Sequence, residues 1–158
     1  MNFRIGFGYD VHQFEQNRPF ILGGIKIPFH LGLKGHSDAD ALIHSICDAL
    51  LGAANLGDIG THFPDNDVAF KNIDSKILLK GVQEKIKAAE YSISNIDCTI
   101  NLEKPKMKPH IPAMRKCMAE ILEIDEGQLS IKATTNEKMG FVGREEGIAV
   151  YSIALIFR

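Results

Sequence analysis

The sequence predicts an α+β fold, in which helices pack on one face of a small mixed β-sheet and a short N-terminal β-hairpin is added. Two observations support this prediction. Segments of strand length alternate between apolar and polar residues, and segments of helix length repeat their apolar residues at helical spacing. Along the chain the order is strand, hairpin, helix, helix, strand, helix, strand, strand, which is typical of one α+β domain over residues 1–158.

Residues 3–12 predict the first strand, because large apolar residues alternate strictly with small or polar ones. Side chains at alternate positions of a strand share a face. One face therefore carries Phe3, Ile5, Phe7 and Tyr9, and the other carries Arg4, Gly6, Gly8, Asp10 and His12.

A hairpin and a helix follow the first strand. Two apolar segments flank a Gly-Gly pair within residues 20–27, which indicates a β-hairpin. A helix is then predicted from Ser37 or Asp38, either of which can cap it, to about Ala54. Its apolar stripe comprises Ile43, Ile46, Cys47, Leu50, Leu51 and Ala54.

Two more helices and three more strands are predicted in the rest of the chain. Apolar residues recur at helical spacing over 74–89 and 111–123, and strand patterns occupy 95–103, 129–134 and 148–157. The last strand is apolar on both faces, so helices can cover one face while the other needs a second cover. That cover comes either from the same chain or from another subunit, and we favour self-association.

Composition and charge exclude several classes of protein. The 158-residue chain has a net charge of −2, which gives no reason to expect nucleic acid or an acidic membrane surface as a partner. The N-terminus lacks signal-peptide features, and the apolar runs are too short to span a bilayer. Three cysteines without a C-x-x-C spacing indicate reduced thiols, so we expect a cytoplasmic protein.

Acidic residues and histidines on the first strand and the first helix suggest a metal site. Asp10 and His12 share one face of the strand, while Asp40, His44 and Asp48 are spaced four apart and share one face of the helix. Asp10, His12 and His44 supply an acid and two imidazoles, a typical ligand set for a catalytic zinc ion with an open fourth position. Either Asp40 or Asp48 can hold the other ring nitrogen of an imidazole ligand.

The same pattern also allows a purely structural interpretation. An Asp-x-His pair is short and arises often by chance, and the polar stripe on the helix is compatible with a solvated face. The pattern differs from H-E-x-x-H, which argues against a common type of metalloprotease. Spacing alone therefore leaves both interpretations open.

Five segments of the chain occur together in a characteristic order. They are GYDVH (8–12), GHSDADALIH (35–44), LGDIGTHFPD (56–65), KPKMKPHIP (104–112) and KATTNEKMGFVGREEGIA (132–149). Together they resemble the 2-C-methyl-D-erythritol 2,4-cyclodiphosphate synthase family of non-mevalonate isoprenoid synthesis. The resemblance covers nearly the whole chain and is to the single-function form, which has no fused cytidylyltransferase domain.

The resemblance implies a metal-dependent cyclisation. The family's substrate is 4-diphosphocytidyl-2-C-methyl-D-erythritol 2-phosphate, a cytidine diphosphate whose 2-phosphate attacks the β-phosphate, so that CMP leaves and a cyclic diphosphate forms. The resemblance places zinc on the three ligands named above and a second cation, magnesium or manganese, on Glu137. It makes His36 and Thr135 the residues that stabilise the transition state. Of the two acids that share a helix face with His44, we expect Asp48 to support a metal ligand.

The resemblance also assigns residues to the substrate. Those expected to contact the phosphates, ribose and methylerythritol are Ser37, Asp58, Ile59, Gly60, Phe63, Pro64, Asp65, Asn66 and Asp67. Those expected on the cytidine side are Leu102, Pro105, Lys106, Met107, Lys108, Ala133, Thr134 and Asn136. Phe141 and Arg144 match residues that line a central cavity.

The family forms homotrimers whose sheets face the threefold axis, so the resemblance implies active sites between adjacent chains. It also implies a central cavity that can take an isoprenoid diphosphate. Two other functions remain open. A zinc hydrolase of phosphoesters would use the same three ligands with bound water as nucleophile. A non-enzymatic trimeric carrier of isoprenoid diphosphates would keep the cavity residues but would need no metal ligands.

Overall fold

The computed structural model describes residues 2–64 and 72–158. The strands are β1 (Phe3–Glu15), β2 (Phe20–Leu22), β3 (Ile25–Ile27), β4 (Gly32–Leu33), β5 (Ser92–Asn101), β6 (Leu129–Thr134) and β7 (Gly147–Phe157). The helices are α1 (Ala41–Ala54), α2 (Ile59–His62), α3 (Ser75–Ala88), α4 (Ile111–Leu122) and α5 (Gly140–Gly143), and a 3₁₀ turn lies at Glu126–Gln128.

Among these residues five strands form one sheet, in the order β4-β1-β7-β5-β6. The pairs β1–β4, β1–β7 and β5–β7 are antiparallel, whereas β5–β6 is parallel. The sheet is therefore mixed, and the predicted α+β fold with a mixed sheet is confirmed. Strands β2 and β3 pair with each other in a separate antiparallel sheet.

The face of β1 that carries Gly6 and Gly8 lies directly against helix α1. A Cβ atom at Gly8 would lie only 1.8 Å from the carbonyl oxygen of Ser45, and the space at Gly6 is equally restricted. Glycine is required at both positions because the helix backbone occupies the space of a side chain. Since Asp10 and His12 share this face, the close packing brings them to the helix as well.

The other face of β1 is apolar and exposed. Phe3, Ile5 and Phe7 are 55%, 71% and 61% exposed, and on the neighbouring strand β7 Tyr151 and Ile153 are 39% and 45% exposed. Among the described residues, helices therefore cover only one face of this part of the sheet. The buried face of β7 consists of Ile148, Val150, Ser152, Ala154 and Ile156.

Asp40 caps helix α1, so the predicted cap at Ser37 or Asp38 is wrong. Its Oδ1 accepts a hydrogen bond from the backbone NH of Ile43 at 3.0 Å. Its two carboxylate oxygens also accept from the two backbone NH groups of the hairpin turn 23–24, at 2.9 and 2.7 Å. The fully buried carboxylate thus joins the start of α1 to the β2–β3 turn, a long-range role that a local capping rule does not include.

Helix α1 is buried on almost every side, whereas the sequence predicted a single apolar stripe. It packs against β1 and β7 in the sheet and against α3 on another side. Only His44, Asp48 and Gly52 of this helix are not buried. His44 and Asp48 therefore mark the part of the helix that remains open to a cavity.

The other predicted elements agree with the structure within a few residues. The helices expected at 74–89 and 111–123 are α3 and α4, and the strands expected at 95–103, 129–134 and 148–157 are β5, β6 and β7. The short helices α2 and α5 lie outside the segments in which the sequence predicted helices. Across residues 2–64 and 72–158, every helix falls short of the length and hydropathy that a membrane span requires.

Candidate active site

Asp10 and His12 from β1 meet His44 from α1 in a compact cluster. Asp10 Oδ2 lies 2.9 Å from His12 Nε2 and 3.0 Å from His44 Nδ1. One ligand atom from each side chain lies within 4.8 Å of the other two. The three side chains are 14% to 24% exposed, so they are largely buried but can still be reached from solvent.

The spacing of these atoms suits a tetrahedral metal ion. Zinc holds nitrogen and oxygen ligands at about 2.0–2.1 Å, which separates neighbouring ligand atoms by about 3.3 Å. The observed separations of 2.9 and 3.0 Å need only a small adjustment to reach that value. His12 Nε2 is moreover buried, and the Asp10 carboxylate is the group that it faces, so both atoms point to the position that a shared cation would take.

Each histidine of the cluster is held through its other ring nitrogen. His12 Nδ1 lies 2.7 Å from the carbonyl oxygen of Lys34, which can only accept, so Nδ1 carries a proton and Nε2 faces the cluster. His44 Nε2 lies 2.9 Å from Ser75 Oγ and 3.3 Å from Ser37 Oγ. The two imidazoles therefore present different nitrogens, Nε2 and Nδ1, to the Asp10 carboxylate and to any cation bound beside it.

The cluster changes the pKa of its own members. Burial raises the pKa of Asp10, but hydrogen bonds and positive charge from His12 and His44 outweigh it and lower the pKa to about 2. Burial lowers the pKa of His12, while the Asp10 carboxylate and the Lys34 carbonyl raise it more, so the net direction is upward. Asp10 is therefore ionised at neutral pH, which a metal-binding carboxylate must be.

The cluster opens into a cavity of about 360 Å³. Arg18 shapes one wall by donating hydrogen bonds to the carbonyl oxygens of Gly35 and Ser37, each at 2.9 Å. These bonds hold the backbone on both sides of the exposed residue His36. The structure thus brings five of the predicted substrate and catalytic residues to the candidate metal-binding cluster of Asp10, His12 and His44 (the metal cluster). They are His36, Ser37, Ile59, Gly60 and Phe63.

The segment beside this cavity begins at Asp58, which caps the short helix α2. Its Oδ1 accepts hydrogen bonds from the backbone NH and the hydroxyl of Thr61, both at 2.8 Å. Pro64 is half-buried at the end of the same segment. The predicted contacts of Asp65, Asn66 and Asp67 lie outside the described residues.

A second, smaller pocket of about 90 Å³ brings together six of the eight residues predicted for the cytidine side, with Lys108 and Asn136 outside its lining. It shares no lining residue with the cavity at the metal cluster. Lys108 is exposed and lies outside this lining. The lining residues are Leu102, Glu103, Pro105, Lys106, Met107, Ala133, Thr134 and Thr135.

A tight turn at the edge of this pocket carries Thr135 and Glu137. The Thr135 hydroxyl donates to Glu137 Oε1 at 2.9 Å. Glu137 and Lys138 adopt left-handed backbone angles, with φ of 50° and 63°. The Glu103 carboxylate holds this turn, because its Oε1 accepts from the NH groups of Asn136 at 2.9 Å and Lys138 at 3.2 Å.

One family model matches almost the whole chain, including the residues of the motifs. A family model with the description YgbB family matches residues 3–157. The chain belongs to the YgbB family. The match spans both pockets and the metal cluster, so all three are features of a YgbB-family chain.

Several named proteins are similar to this YgbB-family chain. A protein of Francisella tularensis subsp. novicida (strain U112), named 2-C-methyl-D-erythritol 2,4-cyclodiphosphate synthase, is 57% identical over 159 residues, covering 100% of both chains. The bifunctional IspDF of Campylobacter jejuni is 46% identical with a TM-score of 0.94, over 98% of this chain and 42% of that one. An IspF–CDP complex of Plasmodium falciparum is 34% identical with a TM-score of 0.87, over 99% and 96%. The resemblance indicated by the sequence motifs is confirmed.

The residues that hold His44 in this YgbB-family chain differ from those expected. Asp48 accepts a hydrogen bond from the backbone NH of Ile59 at 2.8 Å, and the Asp40 carboxylate accepts from the NH of Ile43 at the start of α1. The observed partner is Ser75, which sequence reasoning did not single out. No local pattern marks Ser75, because it reaches His44 only through the packing of α3 on α1.

The predicted cavity residues Phe141 and Arg144 lie on and next to α5 and do not line the cavity beside Asp10, His12 and His44. Phe141 is 38% exposed and lines a separate pocket of about 260 Å³ together with Val11, His12 and Gln13. Arg144 forms an ion pair with Glu146, with Nε 2.8 Å from Oε1. His12 lines both this pocket and the cavity beside Asp10 and His44, so the two spaces of the YgbB-family chain adjoin at His12.

Proposed function

We propose that this chain is a 2-C-methyl-D-erythritol 2,4-cyclodiphosphate synthase of non-mevalonate isoprenoid synthesis, acting as one domain in the cytoplasm. It converts 4-diphosphocytidyl-2-C-methyl-D-erythritol 2-phosphate to the 2,4-cyclodiphosphate and CMP. The observation that carries the proposal is the cluster of Asp10, His12 and His44, which opens into a cavity lined by His36 and Ser37. Full-length relatives with that name support it.

The proposed reaction is an attack within one molecule. An oxygen of the 2-phosphate forms a bond to the β-phosphorus, the bond from that phosphorus to the bridging oxygen breaks, and the bridging oxygen leaves as part of CMP. Because the attacking oxygen is already anionic at neutral pH, the site needs no strong general base. It must hold two anionic groups together and neutralise charge at the transferring phosphorus.

Two proposed cation sites would supply this positive charge. Asp10, His12 and His44 would hold zinc and leave its fourth position open. Zinc bound there would supply a Lewis acid that neutralises charge on the β-phosphate. Glu137, which is exposed on its turn, is the proposed protein ligand of a second cation, magnesium or manganese.

The remaining residues bind and orient the substrate in this proposal. His36 and Thr135 stabilise the transition state, and Ser37 binds phosphate close to the metal cluster. The backbone and side chains around the second pocket recognise the cytidine part, which agrees with the CDP named in two similar structures. The other proposed contacts are Asp58, Ile59, Gly60, Phe63 to Asp67, Leu102, Pro105 to Lys108, Ala133, Thr134 and Asn136.

We also propose a homotrimer whose sheets face the threefold axis. The exposed apolar face of β1 and β7 supports burial against other subunits, because so many exposed apolar residues are uncommon on a monomer. Each active site would lie between the metal cavity of one chain and the cytidine pocket of the next, since the two pockets share no residue within one chain. Phe141 and Arg144 would face a central cavity that can take an isoprenoid diphosphate.

Phosphorus NMR of the reaction products tests the proposed activity. Incubation with the cytidylyl substrate, zinc and magnesium should yield a cyclic diphosphate and CMP. Inorganic phosphate or open-chain products would instead support a zinc hydrolase. Binding of an isoprenoid diphosphate without any zinc-dependent turnover would support a carrier. His44→Ala should lose both metal and turnover while remaining folded, because a site with three protein ligands binds poorly after losing one.

Mixing two inactive variants tests the shared active site. His12→Ala removes a metal ligand, and Thr135→Ala impairs the nucleotide side. When the two are unfolded together and refolded in equal amounts, about one interface in four joins two intact halves. Turnover should therefore return to roughly a quarter of the wild-type value. If mixed trimers form, as shown by mass spectrometry, but remain inactive, each site lies within one chain and the shared-site proposal fails.

A further inference from the structure

A chain of hydrogen bonds runs from His44 away from the metal cluster. His44 Nε2 lies 2.9 Å from Ser75 Oγ, and the Ser75 hydroxyl donates to Asp38 Oδ1. The backbone NH of Ser75 donates to the other oxygen of the same carboxylate at 2.9 Å. Asp38 thus receives both donors of Ser75, and Ser75 is completely buried.

The direction of these bonds determines which nitrogen of His44 carries a proton. An ionised carboxylate accepts only, and a hydroxyl has one proton to donate. Because the Ser75 proton is directed to Asp38, the Ser75 oxygen can only accept from His44, so His44 Nε2 must be the protonated nitrogen. The lone pair of neutral His44 then lies on Nδ1, the atom 3.0 Å from Asp10 Oδ2 at the metal position.

The same residues join two segments of the chain beside the cavity. The backbone NH of Asn72 donates to the His36 carbonyl oxygen at 2.9 Å, and the NH of Asp38 donates to the Ile73 carbonyl oxygen at 3.2 Å. The start of α3 is therefore attached to the loop that carries His36 by backbone bonds as well as by Asp38. A change at Ser75 would loosen His44 on one side and this loop on the other.

We propose that Ser75 and Asp38 are positioning residues for the metal ligand His44. They keep His44 in the tautomer that directs Nδ1 to the metal, as the Lys34 carbonyl does for the opposite nitrogen of His12. Ser37 is a weaker alternative partner, because its Oγ lies 3.3 Å from His44 Nε2. This inference rests on the proposed metal centre and adds two residues that do not touch the metal.

Zinc affinity measured by chelator competition on the full-length protein tests the inference. Loss of an outer hydrogen-bond partner typically lowers metal affinity 10- to 100-fold. Ser75→Ala should show a loss of this size, and Asp38→Asn a loss in the same direction. The double variant should lose little more than Ser75→Ala alone, because the two residues act on His44 through one chain of bonds.

Ser45→Ala provides the matched control. Ser45 is a buried serine next to His44 in α1, and its hydroxyl bonds to Ser152 at 2.7 Å and to the Leu42 carbonyl at 3.0 Å. It should alter stability but leave zinc affinity unchanged. Urea unfolding of the metal-free proteins separates a folding defect from a metal defect in every variant.

A spectroscopic readout completes the test. Long-range ¹H–¹⁵N NMR of the zinc-loaded protein should show His44 protonated at Nε2, with slow exchange of that proton in wild type and faster exchange in Ser75→Ala. Zinc affinity of folded Ser75→Ala and Asp38→Asn within about twofold of wild type would overturn the inference, as would an equal loss in Ser45→Ala. Wild-type protein that binds no zinc would overturn the metal centre itself, and with it this inference.

Discussion

Substitution of Gly8 by alanine should force strand β1 away from helix α1. The new Cβ atom would lie 1.8 Å from the carbonyl oxygen of Ser45 and 2.8 Å from the backbone nitrogen of Ala49. Both contacts are with backbone atoms, so no change of rotamer can relieve them. The strand and the helix must therefore move apart at the position where they hold Asp10 and His44 together.

The size of this movement follows from the contact distances. Ordinary van der Waals contact begins at 3.4 Å, so the strand and helix must separate by about 1.6 Å. Overpacked cores usually lose about 1–3 kcal/mol, and a gap this wide also removes more than half of the dispersion attraction between facing atoms. We therefore expect Gly8→Ala to cost at least about 3 kcal/mol, a fall in Tm of roughly 6–12 °C for a chain of this size.

Urea unfolding of the metal-free protein and zinc titration measure the two consequences. Gly52→Ala is the control, because Gly52 is exposed in the same helix and its Cβ would meet nothing within 4 Å. It should stabilise the helix by about 0.8–1 kcal/mol. A loss below about 1 kcal/mol for Gly8→Ala would refute the packing argument. The expected destabilisation with unchanged zinc affinity would refute the claim that this packing positions the ligands.

Three further predictions concern carboxylates. The pKa of Asp10 is about 2 in the folded state and about 3.9 in an unfolded chain. The ionised carboxylate therefore stabilises the fold above about pH 4, and this stabilisation is lost as the pH falls towards 2. In the metal-free protein, Asp10→Asn should flatten the dependence of the unfolding free energy on pH over that range. Asp40→Ala leaves three backbone NH groups, two of them buried, without their acceptor and should cost about 3–5 kcal/mol in urea unfolding, against about 1 kcal/mol for Asp74→Ala at the exposed cap of α3. Glu103→Ala should release the left-handed turn at Glu137 and lower turnover roughly tenfold or more. Glu103→Gln keeps an acceptor oxygen for the backbone NH groups and should retain most activity. Equal losses of turnover in the two variants would contradict the role of Glu103 in holding the turn.

Periodicity in the sequence was sufficient to place most of the fold and the proposed metal ligands. The ligands could be found because two of them are two residues apart on a strand and the third lies on a strongly apolar helix. Alternation in β1 also predicted two different faces, but it could not tell which face is covered. Gly6 and Gly8 decide this, since only their face admits the helix backbone, and so the large apolar side chains point outward.

The features that sequence reasoning missed depend on contacts between distant residues. Ser75 meets His44 across 31 positions and Asp38 across 37. Asp40 fits a local capping pattern, but its second role at the hairpin turn spans 16 to 17 positions. Such partners are set by the packing of α1 and α3 and by the β2–β3 turn, and a pattern within one element cannot include them.

The two faces of β1 have a consequence for how the chain finds its pairing register. A slip of one residue against β7 would turn the whole strand over, because side chains alternate with a period of two. Phe7 and Tyr9 would then point at helix backbone that leaves no room even for a methyl group, while Asp10 and His12 would turn away from His44. The misaligned strand is therefore rejected by steric exclusion before any ligand is bound. The requirement for glycine at these positions therefore sets the alignment that brings Asp10 and His12 to His44, and this alignment does not depend on a bound ion.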